Sequence, residues 1–122
     1  MPTTELNHET AVNLDLIDDT IDVLKRQGFV AKTPGFVKDG ALYLCAGAAY
    51  VYCAAKAKNL DTDIMVSRML EKGKKQIVRE AEKLGLDVIS VAGMITANDM
   101  QPDAQRREAM IEYFTEVKKY FQ

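Results

Sequence analysis

The chain has 122 residues, 48% apolar and 28% charged, with seven Gly and three Pro. That size and balance fit one folded domain, residues 1–122, and exclude a collagen-like, low-complexity or largely disordered polymer. Sixteen Lys and Arg against eighteen Asp and Glu give a net charge of -2, opposite to the basic balance that phosphate neutralisation favours, so nucleic acid is a disfavoured partner.

The charges are unevenly spread. Residues 1–24 carry Glu5, Glu9, Asp15, Asp18, Asp19 and Asp22 and no Lys or Arg, whereas residues 25–58 carry six bases and only Asp39. The two cysteines provide no disulfide framework, and on one helix Cys45 and Cys53 would stand about 12 Å apart, too far to bridge. The first residues, Met1-Pro-Thr-Thr-Glu-Leu-Asn-His, lack a basic region followed by an apolar stretch, so no signal peptide is expected and a reducing, cytoplasmic setting follows.

Residues 9–27 place Val12, Leu14, Ile17, Ile21 and Leu24 mostly at three- and four-residue intervals, an amphipathic stripe. Lys25 and Arg26 suit the negative end of that helix and Gly28 terminates it. Between Phe29 and Gly40, Thr33-Pro34-Gly35 and Lys38-Asp39-Gly40 are two turn signals, read as a loop or a short irregular hairpin. From Ala41 to Ala55 no residue is charged. The run is too short to span a bilayer and predicts a helix surrounded by the others. A third helix is expected over Asp63–Leu84, capped by Asp61 or Thr62, with Gly73 inside it at a cost of roughly 1 kcal/mol relative to Ala.

Residues 86–96, rich in β-branched side chains but without a convincing second strand, read as a short extended or irregular connector. Asn98 and Asp99, with Pro102 and Asp103 following, read as the start of a last helix running to Phe121. The nine aromatics fall in Phe29–Tyr52 or Tyr113–Phe121, which predicts that the end of the last helix covers the Phe29 loop and the central helix. The expectation is an all-α domain of four main helices around a buried central one, with residues 1–8 flexible.

One histidine, His8, cannot build a His-rich zinc or di-iron site, so neither metal nor cofactor is expected. Cys45 near a helix start is a conceivable nucleophile, because a helix dipole lowers a thiol pKa, but a small buried hydrophobe is the plainer role. Tyr43, Gly47, Tyr50 and Ala54 would share one helical stripe, two aromatics beside a notch. The notch fits either a close helix crossing or a small flat ligand. Asn98 and Asp99 suit a helix cap, or Asp99 a general base with an unidentified partner. Arg68, Lys72, Lys74, Lys75, Arg79 and Lys83 have no glycine-rich phosphate loop among them and read as a solvated face pairing with Glu71, Glu80 and the acidic first helix.

Three motifs together resemble a family of small bacterial and phage domains of unknown function. They are Gly28-Phe29 ending the first helix, Gly40 followed by Leu44-Cys45-Ala46-Gly47-Ala48, and Asn98-Asp99 before the final helix. Phe29 and Ala97 stand where that family has Trp, Leu44 stands at its cysteine position, and its Arg-Thr after Asn-Asp is missing. The resemblance implies an α-helical domain and no reaction. By elimination the residues point first to a self-associating interaction or assembly module. A small-molecule site beside Tyr43, Gly47 and Tyr50, with Asn98 and Asp99, comes second, and a small enzyme using Asp99 or Cys45 third.

Overall fold

Asn13 opens the first helix, α1 (Leu14–Gln27), where its Oδ1 accepts from the backbone N–H of Asp15 at 2.9 Å and Leu16 at 3.2 Å. These bonds satisfy two of the donors that every helix start leaves free. The structure, a computed structural model, describes residues 13–121, so the expectations for residues 1–8 and for His8 lie outside the described residues. Ile17 and Leu24 of the sequence stripe are fully buried, and Gly28 ends the helix after Lys25 and Arg26, as expected.

The turn-rich stretch folds as a regular hairpin. Strand β1 (Gly35–Lys38) pairs antiparallel with β2 (Ala41–Leu44), in the register Gly35 with Leu44, Phe36 with Tyr43, Val37 with Leu42 and Lys38 with Ala41. Asp39 and Gly40, at φ 53° and 79°, make the two-residue turn whose twist matches that of the strands. The uncharged run is therefore divided: its first four residues are strand, and only then does helix α2 (Ala46–Ala57) begin. Within α2, every residue from Ala46 to Ala55 except the half-exposed Tyr52 is buried. It packs against α1 and against three helices introduced next.

The single long helix expected over Asp63–Leu84 is two. Helix α3 (Thr62–Lys72) is capped by Asp61, and α4 (Lys74–Lys83) starts directly after Gly73. Gly73 sits at φ 91° and ψ -166°, which a residue with a Cβ adopts only with strain, so the chain changes direction there instead of continuing. Glu80 of α4 holds the two helices together, accepting from Arg68 Nε at 2.6 Å, Arg68 Nη2 at 2.9 Å and Gln76 Nε2 at 2.6 Å. The Arg68 guanidinium keeps the Glu80 carboxyl below the ordinary glutamate range.

The expected connector over residues 86–96 is instead most of helix α5 (Val88–Asp99). Asp87 caps it through Ile89 N–H at 3.0 Å, and Val91, Met94, Ile95 and Asn98 are buried at helical spacing. Burial on one helical face overrides the weak preference of β-branched residues for strands. Because Asn98 and Asp99 end α5, they cannot start the last helix. That helix, α6 (Arg106–Phe121), begins after a short 3-10 turn, Asp103–Gln105.

Arg106, only 1% exposed, fastens this junction. Its Nε donates to Asn98 O at 2.9 Å and its Nη2 to Gln101 O at 2.6 Å, capturing carbonyls at the end of α5. Helix α6 then lies antiparallel to α1, with Arg107 bonded to Lys25 O at 3.1 Å near one end and Lys118 to Asp18 at 2.7 Å near the other. The start of the last helix, not its end, therefore stands beside Phe29, because the end is drawn to the acidic first helix. Among the described residues the fold is six α-helices with one small hairpin, mostly helical but not all-α.

Candidate functional site

The start of α2 gathers three of the sequence candidates, Gly47, Asn98 and Asp99, together with Cys45. Cys45 is the N-cap, and its Sγ accepts from Ala48 N–H at 3.4 Å. Ala46 N–H donates to Asn98 Oδ1 at 3.0 Å, while Asn98 Nδ2 donates to Ala31 O at 3.0 Å. Asn98 is thus a cap of α2, reached from a residue 52 positions away along the chain, and not of the helix that follows it. Asp99 pairs with Lys74 at the start of α4.

This end of the helix is chemically closed. Burial is the largest influence on the Cys45 thiol and pushes it up to about 11, while its hydrogen bonds from Ala48 and Gly47 act more weakly in the other direction. The thiol therefore stays protonated at neutral pH, against the activation that nucleophilic catalysis needs. Cys53 is likewise free, buried and pushed up to about 11. No buried side-chain nitrogen or oxygen among the described residues lacks a hydrogen-bond partner.

The notch at Gly47 is occupied by Ile95 of α5. A Cβ placed on Gly47 would meet Ile95 Cγ1 at 2.5 Å, the close crossing that a glycine permits. Tyr43 and Tyr50 do not flank it on one stripe, because Tyr43 belongs to β2. The Tyr50 hydroxyl is turned to Asn13, accepting its N–H at 3.3 Å, and burial raises its pKa.

Tyr43 takes part in a different arrangement. Its ring stacks on Phe36 across the hairpin, with centroids 5.4 Å apart and planes at 23°. Phe29 meets both rings, Phe36 at 6.1 Å and Tyr43 edge-on at 6.3 Å. Phe29 and Phe36 remain 39% and 37% exposed, and Val37 on the opposite face of the hairpin is 62% exposed. Leu44 shares its face of the hairpin with Leu42 and Val37, but Leu44 enters the core at the base, while Val37 and Lys38 near the turn project beyond it. Phe36 and Val37 were not singled out from the sequence, although alternating apolar residues on either side of Asp-Gly are the signal that finds such a hairpin.

The outer edge of β2 is partly covered. Gln27 at the end of α1 acts as a short substitute strand, accepting from Leu44 N–H at 2.7 Å through Oε1 and donating from Nε2 to Leu44 O at 3.2 Å. Beside it a cleft of about 270 Å³ is lined by Val23, Arg26, Gln27, Leu42, Tyr43 and Tyr52. Among the described residues no three His, Cys, Asp or Glu stand close enough to hold a metal ion, and no helix is long and apolar enough to cross a membrane.

Comparison with family models, with curated proteins and with solved structures finds no match to this chain. The likeness built on Gly28-Phe29, the Gly40 to Ala48 segment and Asn98-Asp99 stands on those residues alone.

Proposed function

We propose that this chain is an interaction module that associates with itself through the β1–β2 hairpin. The observation that carries the reading is the cluster of exposed Phe29 and Phe36 with half-buried Tyr43, packed on each other at a hairpin of two strands. Two strands alone are marginally stable, and rings clustered at a surface lose much of their benefit unless another surface covers them. The start of α2, by contrast, has its thiol protonated and its Asn98 committed to backbone groups, which argues against an enzyme built there. Two free, buried cysteines suit a reducing cytoplasm.

Sedimentation over a wide concentration range tests this. The wild-type chain is expected to show concentration-dependent association, and the double substitution Phe36→Ser with Val37→Lys to abolish it while leaving the helical circular dichroism unchanged. A wild-type chain that stays monomeric throughout would refute the reading.

A second reading, a small organic ligand, has its support in the cleft beside β2, where Arg26, Gln27, Tyr43 and Tyr52 line a partly apolar wall. A ligand at a hundred times its Kd would stabilise the fold by about 2.7 kcal/mol, visible in a thermal-shift screen of metabolites.

A further inference from the structure

On the premise that the chain self-associates, we infer that a second copy docks on the outer edge of β1, antiparallel, with the two Phe36 residues opposite each other. The pairing within the hairpin decides which backbone groups are left free. In a two-residue turn of this type the flanking pair, Lys38 and Ala41, is hydrogen-bonded, and bonded and non-bonded pairs then alternate. Phe36 and Tyr43 are therefore bonded to each other, while Gly35, Val37, Leu42 and Leu44 turn their N–H and C=O groups outward.

The two edges differ. On β2, Gln27 takes both outward groups of Leu44, and α1 stands alongside with Val23 and Arg26. On β1, α3 packs at one end with Leu70 beside Gly35, but among the described residues the one side chain bonded to an outward group is that of Thr33, whose hydroxyl donates to Gly35 O at 3.4 Å. A sheet extended by a further strand grows through β1.

A second copy fits this edge because the edge complements itself. When Gly35 of one copy pairs with Val37 of the other, and the reverse, each pair exchanges two bonds, so four N–H···O bonds form about a two-fold axis at Phe36. Phe36 then faces its equivalent at a non-bonded position, where side chains come closest. The Phe36–Tyr43 stack of each copy becomes one row of four rings on a four-stranded sheet. In this register the turn of one copy, with Asp39, lies toward the segment that precedes β1 in the other, with Lys32, so opposite charges adjoin at each end and no like charges face each other across the strands.

Cross-linking and edge blocking test the register. Phe36→Cys weakens association by removing a ring but keeps the four backbone bonds, so at high protein concentration mild oxidation is expected to trap a disulfide-linked dimer, since facing residues at a non-bonded position lie within disulfide reach. Lys38→Cys is expected to give none, because the two copies of that residue stand roughly 13 Å apart along the strands. The native thiols are buried and do not compete. Val37→Pro, which removes an outward N–H without touching the bonds inside the hairpin, is expected to shift the sedimentation profile to monomer with helical content retained. Association that survives Val37→Pro, or cross-linking through residue 38 in preference to 36, overturns this edge and register while leaving self-association standing. A wild-type chain that sediments as monomer at every concentration overturns the premise itself.

Discussion

Leu44 and Ala46 are two residues apart, yet they belong to regions with opposite use of their polar groups. At Ala46 the helix start is buried, its N–H is held by Asn98, and Asn98 is held in turn by Ala31. On the hairpin that ends at Leu44, backbone groups face outward and three aromatic rings meet solvent. The difference teaches where bonding capacity is left over once the chain has folded. A buried polar group fully committed to the fold stabilises it and has nothing left to offer a substrate, whereas an open edge beside exposed rings still has its bonding capacity.

The sharpest way to break this contrast is at Asn98. Asn98→Ala leaves Ala46 N–H and Ala31 O buried without partners, at about 1–3 kcal/mol for each group, so chemical denaturation should show a loss well beyond that of any exposed hairpin substitution. A loss no greater than that of an exposed hairpin substitution would mean that the helix start is open to water after all. Gly47→Ala is the next largest. The added methyl meets Ile95 at 2.5 Å, and overpacking of that kind costs about 1–3 kcal/mol, read as a lowered denaturation midpoint.

The remaining effect is absent at neutral pH and emerges only in alkali. Folding holds the Cys45 and Cys53 thiols protonated up to about 11, whereas the unfolded chain releases those protons near the ordinary cysteine value. Their contribution is complete below that ordinary value and declines as pH rises from there through about 11. The double variant Cys45→Ala with Cys53→Ala should therefore show a shallower fall of Tm across this alkaline range than wild type. Equal slopes would place both thiols in contact with solvent.

The legible part of the fold was the part with local causes. Lys25, Arg26 and Gly28 announce the end of α1, and Asp61 the start of α3, because dipoles and caps act within one turn. Residues 41–55 announce burial by their lack of charge. They do not announce that the first four pair as a strand, since periodicity cannot separate a buried helix from a buried strand over so short a run. Residues 86–96 failed in the converse way, with β-branched composition pointing to extension and the packing of Val91 and Ile95 deciding for helix.

The candidate site shows the same division. Asn98 has the chemistry of a helix cap from its side chain alone, but the helix it caps lies 52 residues back along the chain, and only packing of α5 on α2 brings the two together. Arg106 carried no sequence signal, because arginine is ordinarily exposed and nothing local foretells three hydrogen bonds in a buried position. Side-chain chemistry and hydrogen-bonding capacity are properties of a residue and its nearest neighbours, and these the amino-acid order determined. Which donor meets which acceptor, and which edge is left without one, depends on distances between segments far apart in the chain, and these only the tertiary structure decided.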